Sequence, residues 1–161
     1  MGEVKYGFEP VYDCKSKLLI LGSFPSVKSR KIEFYYGNER NAFWRTICEF
    51  FGEEIPKTIE EKKEFLLKNN VALWDIVTEC EIDGSKDDTI KNYRVADIKK
   101  VLQNSQISYI ILNGGKANSI FESNFKDIGV QYVKLPSTSP ANPRFKKEIW
   151  FDTLSGIFGR T

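Results

Sequence analysis

The chain has 161 residues, of which 41% are hydrophobic, 14% aromatic and 29% charged, as in a globular domain with a substantial core. Its formal net charge of +2 is too small by itself to indicate a nucleic-acid partner. No apolar run reaches the roughly 18 residues of a membrane helix, and the N-terminus MGEVKYGFEP lacks the apolar core of a signal peptide. We therefore expect one domain over residues 1–161, intracellular and cytoplasmic, without membrane contacts and monomeric.

Histidine is absent, and the three cysteines, Cys14, Cys48 and Cys80, stand far apart without CxxC spacing. A zinc or iron–sulfur site is therefore not expected. We expect three buried, reduced thiols, no metal and no cofactor. Without histidine, any chemistry must use carboxylates, amides, hydroxyls and backbone dipoles.

Four short apolar segments, each bounded by turn residues, predict β-strands. Their sequences are KLLILGS, VALWDIV, SYIILNGG and VQYVKLPS. Continuous apolarity is typical of strands that are covered on both faces, as in a parallel sheet. Helical patterns separate these segments, so the chain is predicted to have an α/β fold: a three-layer α/β/α domain around a four-stranded, mainly parallel sheet.

The helical patterns are amphipathic and one begins with a capping signal. NAFWRTICEFF places Phe43, Ile47 and Phe51 on one side at four-residue spacing. Thr58 and Glu61 form a capping box ahead of EEKKEFLLKNN. VADIKKVLQN and KANSIFESNF predict two further helices. The last helical pattern, PRFKKEIWFDTLSGIFG, has an apolar face formed by Phe145, Ile149, Trp150, Leu154 and Ile157.

Polar, glycine- and proline-rich segments follow the four predicted strands. They are GSFPSVKSR, DIVTE, NGGKA and PSTSPANPR. Ligands of open parallel sheets bind at the carboxyl ends of the strands. Every charged residue between Cys14 and Ile32, and again from Lys134 to Lys147, is basic. We therefore expect a cationic surface beside a pocket at this edge of the sheet.

Each motif at this edge has an ordinary structural explanation when it is taken alone. GSFPS lacks the pattern of a phosphate-binding loop and is typical of a tight strand-to-helix turn. Asn41 suits the N-cap of the following helix, and Tyr36 suits the edge of a core. Asp75 is equally well explained as a helix-capping residue or as part of a pocket.

Six motifs in one order, however, resemble the uracil-DNA glycosylase superfamily, and most closely its DNA-deoxyinosine (hypoxanthine-DNA) glycosylases. The resemblance runs from about Leu18 to Arg144. It implies a sheet with strand order 2-1-3-4 and a monofunctional glycosylase that flips a damaged base out of DNA and cleaves its N-glycosidic bond. The motifs are GSFPS (Gly22–Ser26), YYGNERNAFW (Tyr35–Trp44), LWDIVTEC (Leu73–Cys80), GSKD (Gly84–Asp87), NGGKA (Asn113–Ala117) and LPSTSPAN (Leu135–Asn142).

Two departures from the superfamily pattern bear on the substrate. Phe24 stands where many relatives carry an Asp or Asn that orients water, and the segment Leu135 to Ser139 lacks their histidine. These absences argue against efficient uracil excision and match the deoxyinosine branch, whose proposed catalytic amide is the Asn of the NxFW motif. The resemblance therefore assigns the catalytic role to Asn41.

The same resemblance implies the remaining site residues, with damaged DNA as the partner. Tyr36 is expected to stack on the flipped base. The expected base pocket consists of Gly22, Ser23, Phe24, Pro25, Tyr36, Asp75 and Asn113. The expected DNA contacts are Ser26, Lys28, Ser29, Arg30, Ser137, Thr138, Ser139, Pro140, Arg144, Lys146 and Lys147.

Three other functions remain open from the sequence. The same scaffold would serve a uracil or G·T/U mismatch glycosylase. A non-catalytic DNA- or nucleotide-binding module is favoured by Phe24 and opposed by Asn41 and the hydroxyl-rich loop. A serine hydrolase using Ser137 or Ser139 is the weakest alternative, because neither residue has a histidine partner and no GxSxG motif occurs.

Overall fold

The computed structural model describes residues 3–159, which form seven strands and six α-helices within that range. The strands are β1 (Val4–Tyr6), β2 (Leu18–Gly22), β3 (Val71–Asp75), β4 (Val77–Glu81), β5 (Lys91–Val95), β6 (Tyr109–Asn113) and β7 (Gln131–Leu135). The helices are α1 (Val27–Ile32), α2 (Phe43–Phe51), α3 (Ile59–Lys68), α4 (Ile98–Gln103), α5 (Gly115–Phe125) and α6 (Lys147–Phe158), with a 3₁₀ turn at Asp87–Thr89.

A four-stranded parallel sheet in the order β3–β2–β6–β7 forms the centre of the molecule. This confirms the predicted sheet and, counting the four predicted strands, its order 2-1-3-4. All residues of β2 and β3 are buried, as expected for strands covered on both faces. Gly22 pairs with Asp75, and Asn113 pairs with Leu135, so these residues lie at one edge of the sheet.

A second sheet of three antiparallel strands, β1–β4–β5, was not predicted. The segment VALWDIV, predicted as one strand, ends in the parallel sheet at Asp75 and continues from Val77 in the antiparallel one. The backbone N–H groups of Ile76 and Val77 donate to the carbonyls of Gly22 (2.8 Å) and Ser23 (3.1 Å) at this switch. Strand β5 is almost wholly exposed, so it carries no apolar pattern to predict it.

The predicted helix patterns are confirmed for α2 and α3. Phe43, Ile47 and Phe51 are buried in the core. The Glu61 N–H donates to Thr58 Oγ1 (3.1 Å), which caps α3 as predicted. Helix α3 packs against β3, and α2 packs against α6.

Two other predictions were wrong in part. Helix α6 begins at Lys147, so Phe145 precedes it, and Ile149 is 43% exposed although Trp150 and Leu154 are buried. Cys14 is exposed because it lies in a surface turn, whereas Cys48 and Cys80 are buried thiols. No helix within residues 3–159 is long and apolar enough to cross a membrane.

Candidate active site

A cavity of about 690 Å³ opens at the carboxyl edge of the parallel sheet. It is lined by Asn41, by all seven predicted base-pocket residues and by six of the predicted DNA contacts. Those six are Ser26, Ser29, Ser137, Thr138, Ser139 and Pro140. The five predicted cationic contacts, Lys28, Arg30, Arg144, Lys146 and Lys147, are not part of the cavity wall.

Asn41 lies beside the hydroxyl-rich loop that follows β7. The N–H of Ala42, the N-cap of α2, donates to the Thr138 carbonyl (2.9 Å), which ties the two segments together. The Asn41 Oδ1 accepts from the Phe43 N–H (2.9 Å). Because a backbone N–H can only donate, the side-chain oxygen must face the helix. Asn41 Nδ2 has no partner within residues 3–159, so its two protons remain for a ligand.

Asn113 holds together two walls of the cavity. Its Nδ2 donates to Tyr36 Oη (3.1 Å) and to Thr138 Oγ1 (3.0 Å), and its Oδ1 accepts from the Thr138 N–H (3.0 Å). The side chain is buried. Both amide protons are therefore committed, and Asn113 positions Tyr36 and Thr138 instead of offering donors to a ligand.

Tyr36 supplies an aromatic wall whose conformation is imposed by its surroundings. Its backbone φ of 54° lies in the left-handed region, which non-glycine residues seldom adopt. Its ring stacks on Phe43 with 4.3 Å between centroids and 22° between planes. Only the opposite face can therefore stack on a ligand. Burial raises the pKa of the Tyr36 phenol, so the group stays neutral.

Asp75 is a buried carboxyl group with an unsatisfied oxygen. It is 5% exposed, and within residues 3–159 its Oδ2 has no hydrogen-bond partner. Burial, followed by the negative charge of Asp87, raises the pKa of Asp75 to about 8. At neutral pH the group is therefore mainly protonated and offers one donor and one acceptor. A helix-capping role is excluded because strand β4 follows Asp75.

Gly22 is required by the close approach of Asp75 and Tyr36. A Cβ atom at position 22 would lie 2.5 Å from Asp75 Oδ1 and 3.0 Å from Tyr36 Oη. Neither group can move away easily, because both are packed in the interior of the site. Glycine at the end of β2 thus permits the carboxyl and phenol groups to converge.

The loop after β7 is rigid, and its three hydroxyl groups differ in exposure. Thr138 is 2% exposed, so its side chain anchors the loop and cannot contact a DNA phosphate as predicted. Ser137 Oγ accepts from the Ser139 N–H (3.1 Å), and Ser139 Oγ accepts from the Ala141 N–H (3.1 Å). Each serine keeps its hydroxyl proton for donation. The Trp150 Nε1–H donates to the Pro136 carbonyl (2.8 Å) and fixes the loop on α6.

The model of the uracil DNA glycosylase superfamily matches residues 9–154. The chain belongs to this superfamily. It is 36% identical over 146 residues to a hypoxanthine DNA glycosylase of Methanosarcina acetivorans, covering 89% of this chain and 92% of the relative. A hypoxanthine DNA glycosylase of Methanosarcina barkeri is 31% identical over 144 residues, covering 89% and 91%. The family and these relatives show that the chain is a DNA glycosylase.

A solved structure shares the fold along its full length. The solution NMR structure of a Methanosarcina acetivorans protein, described as a candidate uracil DNA glycosylase, has a TM-score of 0.85 and 32% identity to this chain. The similarity covers 97% of this chain and 99% of that one. The cavity described above therefore lies in a glycosylase fold.

In this glycosylase, two residues that were predicted to contact DNA make contacts with other protein groups instead. The Arg30 guanidinium lies over the Phe24 ring (5.5 Å to the centroid), and its Nη2 donates to the Gly84 carbonyl (3.0 Å). Ser29 is 2% exposed, and its Oγ accepts from the Gly37 N–H (2.9 Å). Ser29 lines the cavity and is too deeply buried to reach a phosphate, whereas Arg30 packs against Phe24 outside the cavity lining.

The other basic residues lie on the surface of the glycosylase. Lys147 pairs with Glu49 (2.7 Å), both side chains being exposed, so the pair contributes little to stability. Lys28, Arg144 and Lys146 are exposed, and within residues 3–159 they form no ion pair. Their charges are available to an anionic partner.

Sequence reasoning missed a wall of the cavity formed by residues 85–88 of the loop between β4 and β5. Ser23 Oγ donates to Asp87 Oδ2 (2.7 Å) across 64 positions of the chain. The GSKD motif was the only signal of this wall, and by itself it names no role for Asp87. Composition and periodicity carry no information about such a distant contact.

We expect Asn113→Ala to lower the free energy of unfolding by about 1–3 kcal/mol for each buried group left without a partner. The Tyr36 hydroxyl and the Thr138 backbone N–H both lose their hydrogen bonds to Asn113. Urea unfolding of Asn118→Ala is the control, because Asn118 makes one exposed side-chain bond of 3.4 Å. Equal unfolding midpoints for the two variants would contradict the role of Asn113.

Proposed function

We propose that this glycosylase removes hypoxanthine from DNA by flipping deoxyinosine into the cavity and hydrolysing its N-glycosidic bond. The observation that carries the proposal is that the Asn41 amide and the hydroxyl-rich loop line the same cavity. The Ala42–Thr138 hydrogen bond joins these two segments. Enzymes that act on a base must take it out of the stack and into such a pocket. The names of the two Methanosarcina relatives support hypoxanthine as the base.

The Asn41 amide acts on the leaving base. Loss of a base from deoxyribose passes through an oxocarbenium-like sugar, as glycoside cleavage does. Negative charge accumulates on the departing base, and a preorganised donor stabilises that charge. Asn41 Nδ2 is suited to this role, because Oδ1 is held by the Phe43 N–H and the amide cannot rotate without losing that bond.

Asp75 and Tyr36 recognise the flipped base in this proposal. Hypoxanthine presents N1–H beside C6=O, which is one donor next to one acceptor. A neutral carboxyl group presents the complementary acceptor and donor, whereas an ionised carboxylate would repel the C6 oxygen. The raised pKa of Asp75 keeps the carboxyl neutral near pH 7. The uncovered face of Tyr36 stacks on the purine ring.

The exposed part of the site holds the DNA backbone. Ser137 and Ser139 donate their hydroxyl protons to phosphates that flank the lesion, from a loop that is already ordered. Lys28, Arg144 and Lys146 attract the phosphates of any DNA sequence. Each phosphate contact makes the slope of log K against log salt concentration steeper by about 0.9. These contacts offset the few kcal/mol that base flipping costs.

Uracil is the second candidate base, because its N3–H and C4=O groups present the same pattern to Asp75. The test is incubation of the protein with labelled duplexes that contain inosine, uracil, a G·T mismatch or only normal bases, followed by alkaline cleavage. Breaks at inosine support the proposal, and breaks mainly at uracil or at the mismatch support the alternative. Binding without any breaks would identify a non-catalytic DNA-binding module.

A further inference from the structure

The loop between β4 and β5 brings a carboxylate to the turn that follows β2. Ser23, buried in that turn, donates from Oγ to Asp87 Oδ2 at 2.7 Å. A second bond, from the Val27 N–H to Ser85 Oγ (2.9 Å), fixes the same loop beside the start of α1. Asp87 is thus held against the turn at the wall of the cavity.

This turn contains no acidic residue of its own. Phe24 follows Ser23, is 7% exposed and has the Arg30 guanidinium over its ring. A phenylalanine can neither orient water nor accept a proton. Asp87 lines the cavity and is also exposed to solvent, so its carboxylate can reach a water molecule at the mouth.

The cavity also contains Asp75, a second carboxyl group whose surroundings differ from those of Asp87. Asp75 is buried, and within the described residues its Oδ2 is unsatisfied, which favours the protonated form. Asp87 is an exposed residue whose carboxylate is partly desolvated and accepts a hydrogen bond from Ser23. Two carboxyl groups whose surroundings separate their protonation states can divide the roles of donor and acceptor.

The charged and titratable groups around Asp87 come from several elements. Burial raises the pKa of Asp87, while the Ser23 hydrogen bond and then the positive charge of Lys116 lower it, and Asp88 raises it. Asp75, Tyr36 and Cys80 also interact with its charge. On balance burial outweighs the Ser23 bond and Lys116, so the pKa of Asp87 lies above its ordinary value, which makes the carboxylate a stronger base once it is ionised.

We propose that Asp87 is a catalytic carboxylate that orients and deprotonates the water attacking C1′ of the flipped nucleotide. The proposal rests on the glycosylase reaction proposed above. The C1′–N9 bond breaks and its electron pair leaves with the base, while the water oxygen bonds to C1′. One water proton passes to Asp87 and then to solvent, and the departing base takes a proton from solvent. The carboxylate also stabilises the positive charge that develops on the sugar.

The first test compares Asp87→Asn with Asp83→Asn in single-turnover excision from an inosine duplex. Asp83 is the matched control, because it lies in the same loop and, within residues 3–159, its carboxylate makes only an exposed 3.8 Å ion pair with Lys86. We expect Asp87→Asn to lower the excision rate constant at least tenfold, with duplex binding unchanged, and Asp83→Asn to stay within twofold of wild type. Equal rates for the two variants would overturn this inference alone. Wild-type protein without excision at inosine would overturn the proposed function as well.

The second test uses Ser23→Ala and does not depend on folding of the Asp87 variant. Loss of the Ser23 hydrogen bond removes a donor that favours the ionised carboxylate, so the pKa of Asp87 rises. We expect the acid limb of the pH–rate profile to move to higher pH in Ser23→Ala. If Ser23 has only a structural role, Ser23→Ala changes the rate without moving the acid limb of the pH–rate profile. An acid limb that does not move would overturn the catalytic role of Asp87.

Discussion

We expect Asn41→Ala to lower the rate constant of base excision about 10²–10³-fold, because the substitution removes one preorganised donor. Within residues 3–159 the Asn41 Nδ2 group has no partner, and its position in the cavity wall is set by the bond from the Phe43 N–H to Oδ1. Alanine also removes that hydrogen bond, at a cost of about 1 kcal/mol in folding stability. Single-turnover kinetics on inosine duplexes and binding to the same duplexes are the measurements. Retention of near wild-type excision would refute the assignment.

Asn41→Asp separates the two possible actions of the amide. A carboxylate keeps the acceptor for the Phe43 N–H and is favourable near a helix N-terminus, so this variant retains the fold. It has no amide protons to donate. If donation to the leaving base is the essential step, Asn41→Asp is as slow as Asn41→Ala. Recovery of excision in Asn41→Asp would instead identify Oδ1 as a group that orients water.

Asp75→Asn changes how stability depends on pH. Asp75 has a pKa of about 8 in the folded protein, whereas an unfolded aspartate has a pKa of about 3.9. Between these values the folded state binds one more proton than the unfolded state, so this group's contribution to stability falls as pH rises. That contribution is fully present below about pH 4 and is lost by about pH 8, at about 1.4 kcal/mol per pH unit.

Asparagine is neutral at every pH between about 4 and 8. The free energy of unfolding of Asp75→Asn therefore lacks the decrease with rising pH that Asp75 causes in the wild type. The free energy of unfolding of Asp75→Asn, minus that of the wild type, is expected to increase from pH 5 to pH 7.5. Urea unfolding at several pH values measures the difference, and Asp83→Asn provides the control because Asp83 is an exposed carboxylate. A flat difference for Asp75→Asn would show that Asp75 is ionised in the folded protein.

The parallel sheet and its carboxyl edge could be predicted because their signals are local. Strands β2, β3 and β6 of the central sheet are apolar segments that lead into polar turns, and β7 shows a weaker form of the same pattern, with helices between the strands. Gly22, Asp75 and Asn113 end three of these strands, so their convergence follows from parallel pairing. The antiparallel sheet was not predicted because β5 is polar and exposed and β1 has only three residues.

The sequence alone therefore determined the fold class and the cavity segments that follow the strands of the central sheet, while the order of these strands was implied by the resemblance of the motifs to a known superfamily. Only the tertiary structure decided which side chains are free to act: within residues 3–159 it engages Asn113, Thr138 and Arg30 Nη2 in hydrogen bonds and leaves Asn41 Nδ2 without a partner. It also brings Asp87 to Ser23. Hydrophobic periodicity is set by neighbours along the chain, whereas a hydrogen-bond partner 64 residues away exists only after the loops have packed.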